Sequence, residues 1–278
     1  MRTSPHVHAE TRASQAMKME LLFQGKFDAY FEASAVGQGM CIFVHVPKTA
    51  GTSLRGELAE MLPPDVNIVV DYTDTARSFH ERMDEAVERF LEQAGTGGVR
   101  FASGHVLGRH VERMRARLPG ARFVTFLRDP VRRLISDYRY QRSPRHPVHE
   151  EFVARVPDLD AYLALESEWN KAAQHLIAPD VLHSRDPARC VEYMMQTYDF
   201  IGVQEMYPIS FRTLTTLVGK PAWPQLRENV NDDGGAEQQV TPELVARIRA
   251  ANPIDCALYD AVFPRWQAVR EALAQRLA

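Results

Sequence analysis

Five short apolar runs alternate along this chain with stretches of helical period, and that alternation restricts the fold more than any other feature of the sequence. Residues 41–46 (CIFVHV) read as a buried strand that Pro47 stops. Leu54, Leu58, Met61 and Leu62 then recur at helical spacing until Pro63-Pro64. Residues 66–70 form a second apolar run. Residues 77–93 carry Phe79, Met83, Val87, Phe90 and Leu91 on one face of a charged helix, which the glycines at 95–98 break. Residues 99–103 form a short run before Gly104-His105, and 122–127 (RFVTFL) is a clear β segment. Asp129-Pro130 then starts a helix, with an acidic cap and proline at the first helical position, and Val131, Leu134, Ile135 and Tyr138 form its apolar stripe. Residues 158–178 and 187–197 read as helical, 199–203 as a fifth strand, 219–239 as a long loop with the character of a lid, and 241 to the end as helix. Strand followed by helix, repeated, predicts an α/β fold of three layers around a central, largely parallel sheet.

The composition sets limits on function. With 278 residues, 45% hydrophobic and 25% charged, the chain can bury a sizeable core, and a polar tail over 1–18 followed by one domain over 19–278 is expected. A net charge of −3 gives no overall positive field, so no nucleic-acid partner is expected and an anion site must be local. Cys41, Cys190 and Cys256 are isolated, which points to neither a disulfide framework nor a cysteine zinc site, and a reducing, cytoplasmic location is expected. No apolar run reaches the roughly 18 residues of a membrane span, and the first residues lack the apolar core of a secretion signal. No metal-binding motif occurs. Oligomeric state is left open.

Two segments carry the chemistry. In VPKTAGTS (46–53) a strand runs into a loop of small residues that opens a helix. The first N–H groups of a helix have no partner inside it, and its dipole is positive there, so such a turn suits phosphate or sulfate. Gly51 permits close backbone approach, Thr49, Thr52 and Ser53 offer hydroxyls, and Lys48 adds a point charge. The lysine precedes the glycine, unlike the nucleotide-triphosphate loop, where lysine follows the second glycine. The second segment, RFVTFLRDPVRRLISDY (122–138), repeats the strand-to-helix turn. Arg128 stands at the strand end, where α/β folds place ligand contacts, and Ser136 lies eight residues on. An arginine fork and a hydroxyl can together hold a phosphate. Arg132 and Arg133 are expected to pair with surface acids.

This pair of segments resembles the two donor signatures of the sulfotransferases that use 3′-phosphoadenosine-5′-phosphosulfate (PAPS), in particular the branch with heparan-sulfate and uronyl 2-O-sulfotransferases and their bacterial relatives. The resemblance implies the P-loop-like sulfotransferase fold. It implies that Lys48, Thr49, Ala50, Gly51, Thr52 and Ser53 hold the 5′-phosphosulfate, and that Arg128 and Ser136 hold the 3′-phosphate. Weaker likenesses follow in order: Gly104-His105-Val106; Asn170 to Leu176, with Gln174 where arginine is common; YDFIGVQE (198–205); Asn229-Val230-Asn231; and DCALY (255–259). Together they span about residues 40 to 265.

The resemblance further implies transfer of a sulfuryl group from PAPS to an acceptor hydroxyl, with 3′,5′-ADP as product and a glycan or glycoside as acceptor. Such a transfer needs an in-line nucleophile and a stabilised leaving group. Lys48 is the expected cation at the bridging oxygen, and His105 the expected general base. His45, inside the first strand, is read as structural, His110 as exposed, and His146, His149 and His183 as solvated. Arg77, Arg100, Arg109, Arg113 and Arg115 are available for an acidic acceptor, and Trp169 and Tyr140 for stacking on a sugar. Two other readings remain: a magnesium-dependent kinase or phosphotransferase, and a nucleotide-binding module whose catalytic site has degenerated.

Overall fold

Five strands hydrogen-bond side by side: β1 (Cys41–Val44), β2 (Asp65–Ile68), β3 (Phe101–Gly104), β4 (Arg122–Leu127) and β5 (Phe200–Val203). Their order is β2-β3-β1-β4-β5, and every neighbouring pair is parallel. This computed structural model describes residues 18–71, 73–74, 76–225 and 240–278. All residues of β1, β3 and β5 are buried. Helices therefore cover both faces of the sheet, as a parallel sheet requires, and the expected three-layer α/β architecture is the one observed.

The helices follow the local cap chemistry. After α1 (18–23) and α2 (Phe27–Ser34), α3 (Gly51–Met61) leaves the β1 turn. Next, α4 (Phe79–Gly95) is closed by a reciprocal cap in which the Ser78 hydroxyl accepts from the Glu81 N–H and the Glu81 carboxylate accepts from the Ser78 N–H. Between β3 and β4 lies α5 (Gly108–Arg117), and α6 (Pro130–Gln141) starts where Asp129 accepts from the Arg132 N–H at 2.9 Å. Then come α7 (His149–Arg155), α8 (Leu159–Leu163), α9 (Lys171–Leu176), α10 (Pro179–His183) and α11 (Pro187–Thr197). After β5 the chain forms α12 (Tyr207–Leu217), α13 (Pro242–Ala251), capped by Thr241, and α14 (Pro253–Leu277).

Several expectations change. Residues 1–17 of the expected tail lie outside the described residues, but Lys18 is helical and buried, and its ammonium meets the buried Asp199 carboxylate at 3.0 Å. No continuous helix spans 158–178. Asn170 adopts a left-handed conformation (φ 49°) and splits the segment into α8, a short 3-10 turn and α9. The apolar run read at 66–70 does form a strand, but over Asp65–Ile68 and at the sheet edge, with Val69 exposed beyond it. Neither α2 nor α5 was anticipated. Of the loop read over 219–239, only 219–225 is described.

Arg133 corrects another reading. It pairs with no surface acid; it is 1% exposed, and its Nη1 donates to Asp137 Oδ2 one helical turn on, at 3.0 Å. Burial works against its charge, while the carboxylates of Asp137 and Asp255 favour it. The pair sits where α6, with its own apolar cluster of Leu134, Phe152, Tyr162 and Ile248, meets α14 of the main core.

Candidate functional site

The parallel order brings the two expected anion turns together. Val44 pairs with Gly104 on one side and Thr125 on the other, so β1, β3 and β4 end side by side, and His45, His105 and Arg128 follow from them. The crevice beyond the carboxyl ends of such strands is where open α/β sheets take ligands.

The first turn is built on two left-handed residues, Lys48 (φ 69°) and Ala50 (φ 64°), and α3 begins at Gly51 without a side-chain cap. Its first N–H groups are therefore available to an outside acceptor. Ser53 is buried and Thr52 exposed. The hydroxyl of the buried Thr49 donates to the Val46 carbonyl at 2.8 Å, which locks the loop and leaves the backbone N–H, not the hydroxyl, as this residue's donor toward an anion. Arg128 is half-buried, and its Nη1 donates to the Lys48 carbonyl at 3.1 Å, so the second turn touches the first directly. Asp129, which caps α6, offers its N–H to Glu205 Oε1 at 3.0 Å, tying the β5 exit to the same place. Ser136 lies buried two turns along α6. The Lys48 ammonium rests over the Tyr140 ring, 4.2 Å from its centroid, and the edge of His146 meets the same tyrosine at 5.3 Å.

Gly51 has a role beyond close approach to an anion. A Cβ there would lie 2.0 Å from Cδ2 and Nε2 of the His45 ring. That ring is held between Phe43 (centroids 5.2 Å apart) and His105 (4.1 Å) and cannot withdraw freely. Gly51→Ala is expected to destabilise the fold by about 1–3 kcal/mol through overpacking. Gly120→Ala, where a Cβ would meet nothing within 4 Å, is the control. Equal melting temperatures for the two variants would contradict the contact.

His105 is half-buried at the β3 exit. Its Nδ1 lies 2.8 Å from the His45 carbonyl. A carbonyl only accepts, so Nδ1 carries the proton and Nε2 keeps a lone pair, the form a general base requires. Burial lowers its pKa most, the Lys48 charge lowers it further, and the His45 carbonyl and Asp137 oppose both. His45 is 9% exposed, and burial holds it well below the ordinary imidazole value.

Other expectations fare differently. His110 is fully buried, not exposed: its Nδ1 accepts the Leu107 N–H at 2.9 Å and its Nε2 donates to Asp84 at 2.9 Å, while burial pushes its pKa down to about 4. The arginines offered for an acidic acceptor are engaged elsewhere. Arg77 binds Asp74 and Glu85, Arg100 binds Gln38 and the Gly37 carbonyl, Arg109 binds Asp84, Arg113 binds Glu88, and Arg115 binds the Thr197 carbonyl. The Trp169 indole N–H donates to the Leu163 carbonyl, and the Gln174 amide to the carbonyls of Ser167 and Trp169. Asn229–Asn231 lie outside the described residues.

The segments around Asn170 and Asp255 clamp one another. Asn170 Oδ1 accepts the Ile254 N–H at 2.9 Å, Asn252 Oδ1 accepts the Asn170 N–H at 2.7 Å, and the Asp255 carboxylate accepts the N–H groups of Ala172 and Ala173. The sequence carried no signal for the residue this clamp delivers, His175, which is buried and lies edge-on to His105. Tyr140 is available in the sequence for sugar stacking, but nothing there places it against Lys48.

Among the described residues, no group of three or more His, Cys, Asp or Glu side chains is arranged to hold a metal, and no helix is long and apolar enough to cross a membrane.

No protein-family model matches the chain, and no curated protein matches it significantly. Among solved structures, it is similar to the crystal structure of a sulfotransferase from Alicyclobacillus acidocaldarius, with 18% identity, a TM-score of 0.46, and coverage of 80% of this chain and 95% of that one.

Proposed function

We propose that this chain is a sulfotransferase that moves the sulfuryl group of PAPS to a hydroxyl of a carbohydrate acceptor. The observation that carries the reading is the direct contact of the two anion turns, Arg128 Nη1 to the Lys48 carbonyl at 3.1 Å, at the carboxyl ends of adjacent parallel strands. One donor molecule with phosphates at both ends of its ribose can engage both turns.

On this reading the N–H groups at the start of α3 and the side chains of Lys48, Thr52 and Ser53 hold the 5′-phosphosulfate, and Arg128 and Ser136 hold the 3′-phosphate. Nε2 of His105 takes the acceptor's proton as its oxygen bonds to sulfur. The bond from sulfur to the bridging oxygen breaks, and Lys48 offsets the charge developing on departing 3′,5′-ADP. The carbohydrate acceptor rests on the sequence resemblance; Arg77, Arg100, Arg109, Arg113 and Arg115 are engaged elsewhere.

Thermal unfolding with nucleotides tests the reading. At 100 times its Kd, 3′,5′-ADP should stabilise the protein by about 2.7 kcal/mol, while ATP with magnesium gives little shift. Arg128→Ala should weaken 3′,5′-ADP about 10- to 100-fold and 5′-AMP far less, the range expected for loss of a charge-assisted bond. Equal losses for the two nucleotides would refute the 3′-phosphate role. A larger shift with ATP and magnesium would favour a phosphotransferase.

A further inference from the structure

We infer that His175 is a positioning residue for His105, holding the carbonyl of the next residue, Val106, so that the imidazole of His105 keeps one orientation and one tautomer; the inference deepens the sulfotransferase reading and rests on it for what His105 does.

The geometry is a stitched stack. The rings of His45 and His105 lie 4.1 Å apart, tilted by 32°, and His175 meets His105 edge-on at 6.3 Å and 61°. Two backbone carbonyls orient the rings. His105 Nδ1–H donates to the carbonyl of His45, and His175 Nδ1–H donates to the carbonyl of Val106, the residue after His105, at 2.7 Å. The base is thus fixed from both sides, its ring by the β1 exit and the backbone one residue on by α9. Without His175 the Val106 carbonyl would lose its imidazole donor in a place where solvent scarcely reaches, since Val106 is 1% exposed. A buried carbonyl without a donor is costly, and the segment relaxes to find one.

His175 is itself held. Its helix, α9, has only six residues and no side-chain cap of its own. The Asp255 carboxylate receives its first N–H groups, and Asn170 and Asn252 lock it to the start of α14. The resulting chain of contacts runs from α14 through α9 and His175 to Val106 and His105. His175 is also suited to stay neutral while His105 takes a proton, because burial, then the nearby His105, push its pKa down to about 3. Asp137 faces the stack with the opposite sign, and Lys48 with the same sign as an imidazolium.

The test compares His175→Leu with His175→Asn, whose side-chain amide can restore an N–H for Val106. In full-length protein with 15N-labelled histidine, NMR of the free enzyme reads the His105 tautomer without any substrate. His105 should be in the Nδ1–H form in the native protein and in His175→Asn, and should mix tautomers in His175→Leu. With PAPS and an acceptor, His175→Leu should lose about 10- to 100-fold in kcat with nucleotide KM within twofold, the scale of a misplaced base, and His175→Asn should recover most of it. If His105 keeps one tautomer in His175→Leu, or if His175→Asn is as impaired as His175→Leu, the positioning role is overturned. Should the native protein transfer no sulfuryl group, the sulfotransferase reading fails, while the tautomer comparison still decides the role of His175.

Discussion

Replacing His105 by alanine is expected to lower turnover by about 10²- to 10⁴-fold, the range for a lost general base, with little change in 3′,5′-ADP affinity. The split follows from the placement of the groups. The two proposed anion turns are built from β1, α3, β4 and α6, whereas His105 leaves β3 and meets the β1 exit at His45, through its carbonyl and its ring. The pH profile gives a second readout. If His105 is the base, as proposed, the neutral imidazole is the working form, and burial holds its pKa below the ordinary value of about 6.5. Activity is therefore full above that value and is lost as pH falls through the depressed pKa, so the acid limb of kcat/KM lies below pH 6.5 and disappears in His105→Ala. Normal turnover by that variant at neutral pH would remove His105 as the base.

A large effect of another kind is expected from Asp137→Ala. It would leave Arg133 charged, 1% exposed and without the one carboxylate that its Nη1 contacts at 3.0 Å. Nε and Nη2 of this arginine have no partner among the described residues, and Asp255, its other carboxylate neighbour, already accepts the N–H groups of Ala172 and Ala173. Breaking a buried pair from one side costs about 3–5 kcal/mol. Replacing both partners by apolar residues, Arg133→Met with Asp137→Leu, removes the stranded charge and should cost far less. Urea unfolding of the single and double variants measures the difference. A loss under about 0.5 kcal/mol for Asp137→Ala, the level of an ordinary surface change, would show that the ion pair has little weight.

The sequence was most informative where local chemistry decides structure. Asp129-Pro130 and Thr241-Pro242 open helices as their cap and proline chemistry requires. The alternation of runs led to a parallel α/β sheet, and the turns at Lys48 and Arg128 do meet. Long-range pairing was not readable. Nothing local to His110 announces Asp84 twenty-six residues away, and nothing near Asn170 announces Asn252 and Asp255. Residues 158–178 read as one helix, but α8 stops at Leu163, and Asn170, whose backbone is left-handed and whose side chain accepts the Ile254 N–H, starts α9 afresh. Arg132 and Arg133 read alike as arginines that pair with surface acids, yet a single step of 100° around α6 turns Arg132 outward and Arg133 into the protein.

The mutual clamp between Asn170 and residues 252–255 also sets an order of assembly. During synthesis β1, β3 and β4, with the Lys48 and Arg128 turns, emerge first, yet the N–H groups of Ala172 and Ala173 have their protein acceptor only once Asp255 exists. A nascent chain can thus pair the strands that carry the Lys48 and Arg128 turns before His175 is anchored against Val106, which follows only when the closing helix docks.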